Sequence, residues 1–132
     1  MTKEWNRFGA LIPPVNITVE PEFNEWAPEG VTIHTQRMWR QRAVMSEEDL
    51  RDMDKYLDDD CHRLAFAKPH FVMYACTSGS SLETGGYDKK ISDRISKESG
   101  VPASTTSTAV SEALRAMGVK DVAVVTPYPQ AV

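Results

Sequence analysis

In the stretch FVMYACTSGSS (Phe71–Ser81), a run of apolar and aromatic residues ends at Cys76, and Thr77, Ser78, Gly79, Ser80 and Ser81 follow directly. A thiol beside such a loop could act as a nucleophile on a substrate carboxylate held nearby. The hydroxyls donate to a carboxylate, successive backbone N–H groups form an anion nest, and the same donors lower the thiol pKa from its free value of about 8.5. A cysteine that closes a strand is, by itself, a small packed hydrophobe. The hydroxyl-rich sequel brings the two readings level. Other uses of such a loop fail on neighbouring residues. A C-x5-R phosphatase loop needs arginine where Leu82 stands, and GSSLETGG lacks the Gly-Lys-Ser/Thr ending of a Walker loop. A receiver domain would place clustered aspartates where Pro13, Pro14 and Val15 stand. Carboxylate handling is what survives.

Two further loops carry polar or aromatic residues in comparable positions: PPVNITVE, with Asn16 and Glu20, and TPYPQ, with Tyr128. Taken singly, Asn16 reads as a turn former, Glu20 as the acidic start of a helix and Tyr128 as a packing aromatic. Arg37, Arg40 and Arg42 form the one cluster of basic residues and could serve an anionic small molecule. His34, His62 and His70 read as structural, and Trp5, Trp26 and Trp39 as core or interface. Cys61 and Cys76 stand in different local contexts with no C-x-x-C or histidine spacing, which argues against a disulfide frame or metal site. No organic cofactor is implied.

These loops must be positioned by a frame, and the chain supplies one. RFGALIP (Arg7–Pro13), HFVMYA (His70–Ala75) and DVAVVTPY (Asp121–Tyr128) read as buried strands, VTIHTQR (Val31–Arg37) as a β-branched alternating strand and VPASTT (Val101–Thr106) as a short one. Between them, the spacing predicts one long helix from Ser46 to Ala67, whose residues Leu50, Met53, Leu57, Cys61 and Leu64 recur at intervals of 3, 4, 4 and 3. Ser46 stands at its N-cap with Asp49 three residues on, close to a capping box. A second helix, Tyr87–Gly100, turns Ile91 and Ile95 inward; a third, Ser107–Gly118, gathers Ala109, Val110, Ala113, Leu114 and Met117 on one face. Alternating strands and helices imply right-handed βαβ units and an α/β fold: an open, three-layered parallel sheet, flavodoxin-like in outline. In such sheets the ligand crevice lies at the carboxyl ends of the strands, where all three loops converge.

A chain of 132 residues with 41% hydrophobic and 26% charged side chains is one soluble domain's worth of sequence. Its net charge of −4 gives no reason to expect nucleic acid as a partner. The opening MTKEWNRFGALIPP carries early charges and an apolar run too short for a signal peptide or membrane span, so a cytoplasmic location is expected.

Together LIPPVNITVE, VMYACTSGSS and PASTTSTAVSEALRAMGVKDVAVVTPY resemble the amino-terminal half of maleate cis-trans isomerases and arylmalonate decarboxylases, in the aspartate/glutamate racemase superfamily, in order and spacing from Phe8 to Tyr128. The resemblance implies two similar α/β halves facing each other across a cleft, with residues 1–132 forming the first half and a thiol contributed by each. It makes Cys76 the catalytic thiol. It assigns Thr77, Ser78 and Tyr128 to the substrate carboxylate and Asn16 to the first-loop asparagine of the isomerase branch. Racemases resembling glutamate racemase carry Asp-Ser-Gly and Cys-Asn-Thr where this chain has Pro-Pro-Val-Asn and Cys-Thr-Ser, and arylmalonate decarboxylases have glycine at the position of Cys76. Both differences favour the isomerase branch.

The implied activity is cofactor-independent isomerisation of maleate to fumarate, or of a related small dicarboxylate, through a thiolate adduct and an enediolate. The second half, with its cysteine, lies outside this sequence, so the 132 residues alone are expected to have little activity, poor independent stability or a tendency to associate, possible homo-oligomers included. Alternatives are a decarboxylase, racemase or ectoine-utilisation relative, or a carboxylate-binding module without catalysis.

Overall fold

The computed structural model describes residues 4–41, 46–83 and 85–126. The strand β1 (Asn6–Ile12) is apolar over its last residues because it lies inside the sheet. It pairs in parallel with β2 (Val31–Arg37) on one side and β3 (Phe71–Tyr74) on the other, and β4 (Ala103–Thr105) extends the sheet beyond β3. The order β2-β1-β3-β4 is that of an open α/β sheet. The chain moves outward from β1 to β2 and then crosses back to β3, so the order reverses between β1 and β3, where a crevice must open.

Side chains alternate across the sheet. On one face Phe8, Ala10, Ile12, Met73 and Ala75 meet Val19 and Phe23 of α1 (Val19–Trp26). On the other, Leu11, Val72, Tyr74 and Cys76 pack against α2 (Glu47–Lys55), α3 (Leu57–Ala65) and α5 (Tyr87–Ser99), which contribute Leu50, Met53, Leu57, Cys61, Leu64, Ile91 and Ile95. The short α4 (Thr77–Ser80) follows β3, and α6 (Thr106–Ala116) follows β4 without a break. Among the described residues no helix is long and apolar enough to cross a membrane.

Several expectations are corrected. The helix expected from Ser46 to Ala67 is two helices, broken at Tyr56, whose φ of −100° and ψ of 3° leave the helical region. The apolar stripe survives the break intact, with all five of its residues buried. The break has two physical causes. Tyr56 packs its ring 4.4 Å from that of Trp39, and Asp58, Asp59 and Asp60 gain a first turn, where carboxylates are favoured by the helix dipole. The Ser46 cap forms as expected, its hydroxyl accepting from the Asp49 N–H at 3.2 Å.

The fifth strand does not form across residues 121–126, which carry no strand and are exposed throughout; the rest of DVAVVTPY lies outside the described residues. Strand propensity is realised only against a paired edge, and β4 offers just three residues. The apolar face of α6 is likewise uncovered: Val110 and Met117 are exposed and no residue of the helix is buried. Trp5, Trp26 and Trp39 are exposed rather than core.

Candidate functional site

At the carboxyl ends of β1 and β3 lies a cavity of about 350 Å³. Its wall is drawn from Pro13, Val15 and Asn16 after β1, Glu22 and Phe23 of α1, Arg40, Leu50 and Met53 of α2, the run Ala75–Ser78, and Thr106. The crevice is therefore where the strand order requires it, and it gathers residues remote in sequence.

Cys76 lies two residues past the end of β3 and caps α4. Its sulfur accepts from the Gly79 N–H at 3.4 Å and lies 3.8 Å from the Ser78 hydroxyl. The thiol is buried at 5% exposure. Burial pushes its pKa up, while the Gly79 N–H, the Ser78 hydroxyl, the Arg40 charge and the Tyr74 hydroxyl oppose that in decreasing order. The lowering expected from the loop's donors is therefore outweighed by desolvation. The expected nest is also only partly available: the Gly79 N–H serves the sulfur and the Ser80 N–H donates to the Cys76 carbonyl at 3.0 Å. Thr77 and Ser78 are the loop's cavity-facing part.

The close turn after Cys76 depends on Gly79. A Cβ there would fall 2.5 Å from the Tyr74 hydroxyl and 3.0 Å from the Cys76 sulfur. Tyr74 is itself buried, and burial followed by the neighbouring Cys76 charge holds its hydroxyl well above the usual tyrosine pKa. It therefore stays protonated, a donor against the sulfur. The loop is tied to α6 by a hydroxyl chain in which Ser107 Oγ lies 2.7 Å from Ser80 Oγ and 2.8 Å from Ser81 Oγ. Thr106 Oγ1 donates to the Tyr74 carbonyl at 3.2 Å.

Asn16 has a structural role as well as a place on the cavity wall. Its N–H closes a turn onto the Pro13 carbonyl at 3.0 Å, and its Oδ1 accepts from the N–H groups of Thr18 at 2.9 Å and Val19 at 3.0 Å, capping α1. With the carbonyl end committed to the helix, the amide NH₂ is the end suited to a ligand. Arg37 fixes this loop, donating to the carbonyls of Pro14 at 3.0 Å and Asn16 at 2.8 Å and pairing with Glu20. Glu20 also accepts from Thr35 at 2.8 Å, so it is a loop anchor and does not line the cavity.

The structure thus brings Asn16, Cys76, Thr77 and Ser78 to one cavity. Tyr128 and Arg42 lie outside the described residues. His34, His62 and His70 are engaged elsewhere, with Thr32, Glu98 and Arg7 respectively, and none lines the cavity. Cys61 is fully buried on α3, its thiol pushed up to about 12 by burial. Among the described residues no group of three or more His, Cys, Asp or Glu side chains is placed to hold a metal ion. Sequence reasoning missed Tyr74, Thr106, Leu50 and Met53 as wall or sulfur contacts, and it left Arg40 as one member of a trio.

A family model described as arylmalonate decarboxylase matches residues 8–132. The maleate isomerase of Alcaligenes faecalis is 29% identical over 135 residues, covering 92% of this chain and 53% of that protein. The maleate isomerase of Pseudomonas putida KT2440 is 31% identical over 134 residues with the same coverage. The chain spans about half the length of the curated relatives it matches. Among solved structures, a variant of the maleate isomerase Iso from Pseudomonas putida S16, solved with maleate, superposes with a TM-score of 0.71 at 28% identity, over 85% of this chain and 49% of that one. The maleate cis-trans isomerase of Nocardia farcinica bound to TRIS shares the fold, with a TM-score of 0.75 at 23% identity over 86% of this chain and 49% of that one.

Proposed function

The chain belongs to the arylmalonate decarboxylase family, and from that premise we propose that it forms the Cys76-bearing half of a maleate isomerase-type site, the opposite half being supplied by sequence outside these 132 residues. The observation that carries this reading is the Cys76 sulfur beside a cavity shared with Asn16, Thr77 and Ser78. Maleate fits the donors: a small dianion needs hydroxyl and amide N–H groups at a carboxylate, a nucleophile at the double bond, and no cofactor. The maleate isomerases among its relatives support the choice of substrate.

In the reaction, the Cys76 thiolate adds to one alkene carbon, forming a C–S bond. The π pair passes into the carboxylate on the other carbon as an enediolate. Asn16, Thr77 and Ser78, with Tyr128, stabilise the charge that develops there. Rotation about what is now a single bond, return of the electron pair and expulsion of the thiolate yield fumarate. Atoms and oxidation state are conserved.

The test follows the alkene protons of maleate by NMR in a protein that contains both halves. Fumarate should accumulate, and Cys76→Ser should abolish the conversion; unchanged turnover in that variant sinks the proposal. A second reading, a carboxylate-binding module without turnover, draws on the burial that keeps Cys76 protonated. It predicts calorimetric binding of succinate and maleate with no fumarate formed.

A further inference from the structure

Arg40 keeps two of its three guanidinium nitrogens without an acceptor. Its Nε and Nη2 atoms are buried and have no hydrogen-bond partner among the described residues. Leaving buried guanidinium N–H groups without an acceptor is costly, so the place of Arg40 on the cavity wall with Cys76 calls for an anionic counterpart. Other arginines show what satisfaction looks like here. Arg37 meets Glu20 and two carbonyls, Arg51 meets Glu47 and Glu83, and Arg94 meets Asp54 and Asp58.

The position of Arg40 is also constructed. Before it, the Met38 N–H donates to the Ile12 carbonyl at 2.8 Å and the Trp39 N–H to Asp60 Oδ2 at 2.8 Å. After it, the Gln41 N–H donates to Asp52 Oδ2 at 3.2 Å. Asp60 is completely buried and also accepts from Gln36 and Arg63, so the tether is itself held in place. The backbone is therefore anchored on both sides of a side chain whose Nε and Nη2 donors are left over. A planar fork of N–H groups matches a carboxylate, which it can take in bidentate fashion.

We infer that Arg40 holds the second carboxylate of a dicarboxylate, the one not taken by the Thr77–Ser78 loop, and thereby selects dianions over monoanions. This rests on reading the cavity as a thiol site for small dicarboxylates. It adds a recognition element on the β2–α2 connection, a segment that contributes no other residue to the wall among those described.

The test uses a protein that contains both halves and does not require turnover. Cys76 is alkylated with iodoacetate, an anion, and in parallel with iodoacetamide, its neutral counterpart. The sulfur displaces iodide and the thiol proton passes to buffer. Peptide mapping separates Cys76 from Cys61, whose thiol stays protonated and buried. The ratio of the two rates cancels any change in thiol ionisation. It should exceed that of free cysteine by about tenfold, as expected of a nearby partly desolvated charge. Arg40→Met should return the ratio to the free value, and Arg40→Lys should keep part of the preference. Succinate should protect Cys76, butyrate should not, and protection should vanish in Arg40→Met. The wild-type ratio and the protection need no variant. If neither reagent labels Cys76, the thiol-site reading and this assignment fall together. Labelling without anion preference, or a preference that survives Arg40→Met, overturns the Arg40 assignment alone.

Discussion

Burial and hydrogen bonding pull the Cys76 thiol in opposite directions, and burial is the larger. The neutral thiol is thus the folded protein's preferred form, and the thiolate appears at higher pH than in a free cysteine. The alkylation rate with iodoacetamide should still be rising above pH 8.5, where a free thiol is about half ionised; a plateau below pH 8 would contradict the desolvated site. Cys76, Thr77 and Ser78 were legible in the sequence because they form a short local pattern after a strand, whereas Asn16 read locally as a turn former and was assigned only through the family resemblance. Arg40 was legible only as one of three arginines that could serve an anion, because the sequence does not show which of them is left with unpartnered donors on the cavity wall. Tyr74 hid in an apolar strand because nothing local signals that its hydroxyl meets a sulfur.

At the scale of elements, the turn from β3 into α4 is the tightest part of the site. Gly79 permits it by lacking a Cβ, which would press on both the Tyr74 hydroxyl and the Cys76 sulfur. Because Tyr74 is almost fully buried it has little room to yield. Gly79→Ala should destabilise the chain by about 1–3 kcal/mol, read from urea unfolding, and should change the Cys76 alkylation rate. Wild-type stability in that variant would show that the turn relaxes without cost. The two-helix outcome at Tyr56 teaches why periodicity alone could not locate the break. Leu50, Met53, Leu57, Cys61 and Leu64 keep one face through it, so the pattern is blind to an interruption whose cause, the Trp39 ring, lies on another segment.

For the whole molecule, the sheet was readable because alternating strands and helices admit few topologies, and the order β2-β1-β3-β4 is among them. The fifth strand was not, because DVAVVT describes a strand's composition while pairing decides whether one forms. The result is that Val110, Met117, Val122, Val124 and Val125 are all left exposed. Exposure of this kind favours association. The chain should elute from size-exclusion columns at an apparent mass that grows with concentration, and Met117→Lys with Val125→Lys should return it to the monomer position; a concentration-independent monomer would count against these side chains being sticky. The cavity also has a kinetic meaning. Its wall runs from Pro13 to Thr106 in sequence, and β1 meets β3 only by closing a stretch of some sixty residues between them. High contact order of this kind makes folding slow. Ligand affinity is then a property that arrives late in folding, absent from every collapsed precursor, and the rate at which binding competence appears is a clock for completion of the sheet.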